Sequence, residues 1–399
     1  MAAPLTILCL ASFHKGHEFM RQCKKEGCRV ILLTSKSLEK AEWPTESLDQ
    51  IFYIPDVDKE WKLDDVIYGV SYMCRTEHID RIVALDDYDV EKAAALREHL
   101  RIPGMGESSA RYFRDKLAMR TRAAEVGLGV PDFIHVLNYD KLREFMRIFP
   151  APYLLKPRFQ AGAIGIRKIN QQEELWRALD ELGDKQSFYV LERFVPGEVF
   201  HVDAISYDAR VLFAVVSRYG NPPMEVAHEG RVFSTHTIVR GSSDDTELQR
   251  QNRQVLSAMG MKAGVSHTEF IKRTDSGKFV FLETSARVGG AHIADLVEAA
   301  TGLNLWTEWA KMEVEQRYTL PEHRNDYAGL IISLAKQESP DLSGYNAPEV
   351  VWKLEKENHA GLIVRAPRFE RVEELMKEYT ERFYTDFFAS QPLPTKVTE

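Results

Sequence analysis

The chain has 399 residues, of which 44% are hydrophobic and 28% charged, as in ordinary globular proteins of two or three packed domains. The formal net charge of −8 argues against a general affinity for nucleic-acid phosphates, and no apolar run approaches the roughly 20 residues of a membrane span. Neither a basic leader segment nor a CxxC pair is present, so we expect a cytoplasmic protein with reduced thiols.

Strand and helix patterns alternate over the first 115 residues. The apolar runs LTILCL, CRVILLT, IFYIP and RIVAL are separated by segments with helical spacing. Continuous apolar strands between helices predict a parallel sheet that is covered on both faces. The first turn reads ASFHKGHEF rather than G-x-G-x-x-G, so the pattern does not favour a dinucleotide site there.

Three aspartates, Asp86, Asp87 and Asp89, follow the fourth predicted strand. They could form a metal cluster at the carboxyl edge of the sheet. A solvated loop that caps the following helix accounts for them better, because aspartate is a preferred capping residue. We therefore do not include them in a site.

A helix is predicted from about Ser108 to near Gly127, and YLLKPRF, QAGAIG and IRKI then predict a hairpin with a glycine-containing tip. Lys156 lies in the first, otherwise apolar strand, where a cation is useful if it meets a phosphate. Gly162 and Gly165 in the tip can present backbone N–H groups to phosphate oxygens.

A second feature is the strand break at Pro196–Gly197 in LERFVPGEVF, which Glu192 and Glu198 flank. A broken strand offers backbone donors and acceptors to a purine base. A nearby carboxylate can hold a ribose diol or an exocyclic amine.

Two carboxylates are predicted to face each other on a hairpin. The strands HTEFIKR and VFLETSAR flank the short turn TDSGK, which places Glu269 roughly opposite Glu283. Directly paired side chains lie about 5 Å apart on one face, and paired carboxylates suit magnesium. Arg287 follows Glu283 by four residues, so strand alternation puts both side chains on the same face. Its guanidinium can bind a phosphoryl group or a carboxylate. Taken alone, the pattern also fits solvent-facing charges on an exposed sheet.

Other residues near this hairpin are less informative. His267 precedes Glu269 by two positions and either touches a substrate or is a hydrogen-bonded histidine of the sheet. Asp203 lies on a neighbouring strand and would at most support such a site. Trp309 is expected to pack. The segments YAGLIISLAK, EVVWKLEK and HAGLIVRAP predict a small C-terminal sheet, and a helix closes the chain.

Taken in order, the segments RDKLAMR, YLLKPRFQAGAIGIRKI, LERFVPGEVFHVD, HTEFIKR and FLETSARVGGAHIADLVEAATGLNL resemble the ATP-grasp superfamily. Within it they resemble carboxylate–amine ligases, including bacterial L-amino-acid ligases that form dipeptides. The resemblance covers nearly the whole chain and implies an α/β and α+β architecture. It implies an N-terminal parallel α/β domain (1–115), two ATP-clasping subdomains (116–190 and 191–326) and a small C-terminal lobe (327–399).

The resemblance also implies which residues bind the nucleotide. These are Lys116, Lys156, Gly162, Gly165, Glu192, Phe194, Val195 and Glu198. The two lysines would meet phosphates, Glu192 and the backbone at 194–195 would form the adenine hinge, and Glu198 would lie on the ribose side.

The metal and substrate roles come from the same resemblance. Glu269 and Glu283 would bind Mg²⁺ or Mn²⁺, with Ser285 where the family often has asparagine. Arg287 and Lys156 would be catalytic. The substrate would meet Arg287, His267 and the Gly289–Gly290 segment before the next helix. The phosphate loop departs from the family pattern because it carries no serine.

The implied reaction is activation of a carboxylate as an acyl phosphate by ATP, followed by displacement of the phosphate by an amine. Two alternatives stay open at this point. One is a carboxylase-like enzyme that uses bicarbonate or formate, and the other is a nucleotide-binding regulatory protein without turnover. The expected partners are small carboxylates and amines, amino acids in particular, with neither nucleic acid nor membrane. A homodimer is one expected assembly.

Overall fold

The computed structural model describes residues 4–57, 59–315 and 317–389. Within these ranges, no helix is both long enough and apolar enough to span a bilayer. Three sheets form the framework, and helices cover their faces.

The first sheet is parallel, as predicted. Its strands are β1 (Thr6–Ala11), β2 (Arg29–Ser35), β3 (Gln50–Ile54) and β4 (Arg81–Ala84), and the helices around it are α1 (His17–Lys25), α2 (Leu63–Met73) and α3 (Val90–Leu100). The strand order is β3-β2-β1-β4, with every pair parallel. Alternate residues of β1 enter two different apolar clusters, one with α1 and one with α2 and α3, so both faces are buried.

The predicted helix from Ser108 to Gly127 is interrupted. The structure has a short α4 (Glu107–Ala110) and then, after a turn, α5 (Lys116–Glu125). Asp115 adopts an extended conformation, and its carboxylate accepts a hydrogen bond from the Leu117 N–H at 3.0 Å. This side-chain cap starts a new helix, and it puts Lys116 in the first turn of α5.

The second sheet is antiparallel, with the order β5-β8-β6-β7. Its strands are β5 (Phe133–His135), β6 (Tyr153–Pro157), β7 (Arg167–Ile169) and β8 (Tyr189–Arg193), and its helices are α6 (Tyr139–Ile148) and α7 (Gln172–Leu182). The predicted β6–β7 hairpin is confirmed. Tyr153 and Leu155 pack on the two helices. Strand alternation therefore turns Lys156 to the opposite face.

The third sheet has eight strands in the order β13-β12-β9-β10-β11-β14-β16-β15. The strands are β9 (Gly197–Tyr207), β10 (Arg210–Tyr219), β11 (Phe233–Thr237), β12 (Gly264–Arg273), β13 (Phe279–Ser285), β14 (Tyr327–Leu334), β15 (Val350–Lys353) and β16 (His359–Ala366). The remaining helices are α8 (Pro223–Glu229), α9 (Ser243–Met259), α10 (Ile293–Thr301), α11 (Leu305–Val314) and α12 (Phe369–Asp386).

The three C-terminal strands do not form the separate small sheet that the sequence suggested. β14 pairs with β11, from Phe233↔Ile332 to His236↔Gly329, and so extends the large sheet. The pattern of apolar residues identified the strands correctly. The pattern does not show that β11 has a free edge with which β14 can pair.

Candidate active site

A cavity of about 460 Å³ separates the four-stranded antiparallel sheet from the eight-stranded sheet. This volume is typical of small-molecule sites. The predicted site residues that line it are Lys116, Lys156, Gly162, Glu192, Phe194, Val195, His267, Glu269, Glu283, Arg287 and Gly290. Four others, Gly165, Glu198, Ser285 and Gly289, do not line it.

The two predicted metal-ligating carboxylates are direct neighbours. Glu269 and Glu283 are paired in the β12–β13 ladder, which confirms the predicted register, and the ladder is irregular just after Glu269. Lys116 Nζ lies 2.8 Å from Glu283 Oε2, and the Tyr219 hydroxyl donates to Glu269 Oε1 at 2.9 Å. The charge of Lys116 and the hydrogen bond from Tyr219 therefore reduce the repulsion between the two carboxylates.

A buried network supports Glu269 from behind. Asp203 contacts the Nδ1 atoms of His201 at 2.7 Å and of His267 at 2.9 Å. Burial alone would lower the pKa of His267, but Asp203 and Glu269 raise it to about 9. The two carboxylates thus favour the protonated imidazole of His267, whose Nε2 lies 3.6 Å from Glu269 Oε1.

The same three residues can be considered as a metal site, since ligand atoms of His201, Asp203 and His267 lie within 4.8 Å of one another. Their ring nitrogens already contact the Asp203 carboxylate, and His201 Nε2 contacts the Thr235 hydroxyl at 2.8 Å. The ring nitrogens and carboxylate oxygens in these contacts therefore already have hydrogen-bond partners within the protein. The facing glutamates are the better candidate for a cation.

On the other side of the cavity, Glu192 is held between two cations. Its oxygens lie 2.8 Å from Arg120 Nε and 2.7 Å from Lys156 Nζ. Burial would raise the pKa of Glu192, but the charges of Arg120 and Lys156 lower it to about 2. Sequence reasoning missed Arg120, although its spacing from Lys116 places both on one face of α5.

Arg287 is bound by an aspartate of the first sheet. Its Nε and Nη2 atoms lie 2.9 and 2.8 Å from Asp87 Oδ2, and the Ser285 hydroxyl donates to the same oxygen at 3.2 Å. Burial would raise the pKa of Asp87, but the charges of Arg287 and Arg114 lower it to about 2. Ser285 therefore faces this ion pair.

The prediction of a solvated loop at Asp86, Asp87 and Asp89 is wrong, since these residues are 2, 3 and 0% exposed. Asp86 caps the short turn at Asp87–Asp89 by accepting from the Tyr88 N–H at 3.2 Å, but Asp89, which directly precedes α3, makes no side-chain capping hydrogen bond to that helix. Asp86 also pairs with Lys15, and Asp89 accepts from the Ser12 N–H at 2.9 Å. Three acidic residues in a row look like a surface loop unless their partners are known.

The tip of the β6–β7 hairpin forms part of the cavity wall. Gly162 and Gly165 have φ values of 68° and 71°, and Ala163 between them also has a positive φ. Such backbone favours glycine. The tip is held by Tyr88, whose hydroxyl donates to Gln160 Oε1 at 3.0 Å and accepts from the Ala161 N–H at 3.3 Å.

The segment before α10 has two different glycines. A Cβ at Gly289 would lie 2.8 Å from Ile293 Cγ2 and 3.0 Å from Asp203 Oδ1, so this position permits close packing. A Cβ at Gly290 would meet nothing within 4 Å, and Gly290 lines the cavity. The helix that follows this segment, α10, starts at Ile293.

The residues present fit a magnesium nucleotide. Facing carboxylates are ligands that Mg²⁺ prefers, and three cations converge on the same space to balance phosphate charge. Apolar side chains also line the cavity. They include Leu154, Val195, Val199, Phe233, Ile271 and Leu282.

Comparison with known proteins identifies this architecture. Residues 149–295 match the family model of the ATP-grasp domain. The crystal structure of an L-amino acid ligase from Bacillus licheniformis superposes with a TM-score of 0.77 over 98% of this chain and 100% of that one, at 16% identity. The chain has the ATP-grasp fold. The predicted fold class is thereby confirmed.

Two further comparisons are informative. The L-arginine-specific L-amino acid ligase of Bacillus subtilis is 27% identical over 264 residues, which cover 65% of this chain and 62% of that protein. N5-carboxyaminoimidazole synthetase of Staphylococcus aureus, complexed with ADP, superposes with a TM-score of 0.71 at 15% identity, covering 94% of this chain and 97% of that one. The match to the Bacillus subtilis ligase thus spans just under two thirds of its length.

Proposed function

We propose that this ATP-grasp chain is an ATP-dependent carboxylate–amine ligase that forms an amide bond and releases ADP and phosphate. The observation that carries the proposal is the direct pairing of Glu269 with Glu283 in one ladder. This pair opens onto the same cavity as Lys116, Lys156 and Arg287. One cavity thus combines carboxylates that can bind a cation with lysine and arginine side chains that can bind phosphates.

For the nucleotide, we propose that the base binds beside Phe194 and Val195, where the chain leaves β8 and lines the apolar part of the cavity. When the nucleotide binds, Lys156 would partly give up its ion pair with Glu192, and Lys116 would partly give up its ion pair with Glu283. Both lysines could then contact the phosphates. Glu198 lies outside the lining and pairs with Arg218 at 2.9 Å, so its proposed ribose contact requires that pair to open.

Mg²⁺, when bound by the two glutamates, neutralises phosphate charge and polarises the transferred phosphoryl group. A substrate carboxylate oxygen then attacks the γ-phosphorus of ATP, and the bond to the ADP oxygen breaks. The amine nitrogen next attacks the acyl carbon, the bond to phosphate breaks, and the nitrogen loses a proton. Arg287 would orient the carboxylate, and the lysines would stabilise the charge that builds up on the phosphoryl oxygens.

We propose amino acids as the substrates, as the name of the Bacillus subtilis relative suggests. The fold alone does not separate a ligase from a carboxylase, because carboxyaminoimidazole synthetases share it. The sequence match to the arginine-specific ligase favours the ligase. A homodimer and the domain boundaries at 115, 190 and 326 stay predictions.

Hydroxylamine trapping tests the reaction. With ATP, Mg²⁺ and a panel of amino acids, the protein is expected to form the hydroxamate of the accepted acid. Arg287→Ala should largely abolish it, while Arg250→Ala on the exposed side of α9 should not. ATP consumption with bicarbonate or formate but no hydroxamate would identify a carboxylase. If no acid causes ATP consumption, the result would favour a nucleotide-binding protein without turnover.

A further inference from the structure

A second cavity, of about 590 Å³, lies between the first sheet and the start of β12. Its walls come from β4, α3, α11 and the turn before β12. Among the described residues, none lines both cavities. The two spaces are nevertheless close, because Ala286 lines this one and the next residue, Arg287, lines the other.

A fixed guanidinium forms one wall. Arg97 Nε and Nη2 donate to the Ile82 carbonyl at 2.9 and 2.5 Å, and Nη1 donates to the Met105 carbonyl at 3.1 Å. Burial lowers the pKa of Arg97, although Glu313 opposes this effect. Arginine stays charged in proteins. Since a guanidinium has five N–H groups, donors remain for an anion in the cavity.

A carboxylate forms another wall. Trp309 Nε1 donates to Glu313 Oε1 at 3.1 Å, so this tryptophan packs as expected and also positions an acid. Among the described residues, no basic side chain lies within 4.0 Å of the Glu313 carboxylate. Burial raises the pKa of Glu313 despite the charges of Arg97 and Arg81.

Opposite charges that share a cavity without touching are unusual. Each loses hydration on burial, and contact between them would recover part of that loss. Arg97 is instead fixed on two carbonyl groups, and Glu313 on an indole. A ligand with both charges would satisfy the two together.

The remaining lining combines apolar side chains with Glu98, Ser108, Ser109 and Lys262. Met105, Met261 and Trp309 line the cavity. Gly264, with φ +124°, also lines it, and a Cβ there would lie 3.3 Å from Met261 Cε and 3.7 Å from Trp309 Nε1. The glycine keeps the space beside the indole clear.

We propose that this second cavity binds a free α-amino acid with an apolar side chain. Its carboxylate would meet Arg97, its ammonium Glu313, and its side chain the two methionines and Trp309. The site is separate from the nucleotide cavity, and the inference does not depend on the proposed ligase activity.

Calorimetry without nucleotide tests the proposal, with L-leucine, L-methionine and L-phenylalanine as probes. The protein would carry Arg287→Ala, so that the nucleotide cavity lacks its proposed carboxylate contact. We expect one site per chain. 4-Methylpentanoate and 3-methylbutylamine, which each keep one of the two charges of leucine, should bind at least about 10-fold more weakly.

Variants then assign the site. Glu313→Gln should weaken binding at least about 10-fold without lowering the melting temperature, because the amide oxygen still accepts from Trp309. Glu91→Gln, on the exposed side of α3, should bind as the parent does. If Arg287→Ala proves unstable because Asp87 is left unpaired, Arg287→Met with Asp87→Asn provides a second background.

Three results would overturn the proposal: no binding of any of the three amino acids, binding that Glu313→Gln leaves unchanged, or equal binding of the singly charged analogues. Because these measurements use neither ATP nor turnover, they fail independently of the hydroxamate assay.

Discussion

Arg287 and Asp87 form a buried ion pair across 200 residues of sequence, with Arg287 Nη2 2.8 Å from Asp87 Oδ2. Asp87 follows β4 of the first sheet, and Arg287 follows β13 of the large sheet. The pair joins the carboxyl edge of one sheet to the cavity wall of the other. Asp87 therefore positions Arg287 without lining the cavity itself.

Asp87→Asn is expected to raise the KM for the carboxylic acid about 10-fold, because the amide holds the guanidinium without balancing its charge. The KM for ATP should stay unchanged, since Asp87 does not line the cavity in which we propose that ATP binds. Steady-state kinetics with each substrate varied in turn measures both. Equal effects on the two KM values would indicate general loosening instead.

Glu283→Gln should leave the fold intact and reduce ATP turnover at least about 100-fold. The amide can still meet Lys116, but it removes one of the two charges available to a cation. Asp275→Asn in the turn of the same hairpin is the control, since its partner Arg273 is near the surface. Near-normal turnover by a folded Glu283→Gln protein would exclude the metal assignment.

Lys156→Met is predicted to weaken binding of a non-hydrolysable ATP analogue about 10-fold or more, as measured by calorimetry. Folding should survive, because Glu192 keeps its second partner, Arg120. Lys185→Met, at an exposed position, is the matched control. Unchanged affinity would mean that Lys156 serves only to neutralise Glu192.

The β6–β7 tip is predicted to loosen without nucleotide and to close when ATP and Mg²⁺ bind. The two arginines beside it differ in access for trypsin. The Arg167 side chain is 42% exposed, whereas Arg158 is 18% exposed and paired with Asp115. Cleavage is therefore expected after Arg167, with protection by ATP and Mg²⁺. The same rate of cleavage in both conditions would argue against closure.

Glu192 should make stability depend on acid pH. Its pKa falls from the ordinary 4.5 to about 2 in the folded protein, so the unfolded chain takes up the proton first as pH decreases. The contribution is complete above about pH 5 and is lost towards pH 2. Urea unfolding from pH 5 to pH 3 should show a smaller loss for Glu192→Gln than for the parent or Glu144→Gln. Parallel pH dependences would contradict the shifted pKa.

The sequence predicts best what depends on local spacing. The turn TDSGK determines which residues of β12 and β13 meet, so the pairing of Glu269 with Glu283 follows from counting along one hairpin. The parallel first sheet follows in the same way from apolar runs between helices. Lys156 could be singled out as a cavity residue because a cation is rare in such an apolar strand.

What the sequence could not supply are partners that only tertiary packing brings together. Nothing near Asp87 indicates an arginine 200 positions later, so the local pattern predicts a solvated acid where the structure has a buried one. The contact of Arg120 with Glu192 joins α5 to β8, and local spacing does not predict that contact. The edge of β11 and the second cavity likewise depend on how distant segments meet, which spacing along the chain does not encode.

The order of the large sheet also bears on synthesis by the ribosome. β11 is flanked by β10 on one side and, on the other, by β14, which begins some 90 residues after β11 ends. While the intervening chain is being made, β11 has an unpaired edge of the kind that invites aggregation. The strand pairing of the first sheet is complete at β4 and can form early. A chaperone would therefore be needed most in the interval between the emergence of Thr237 and that of Leu334.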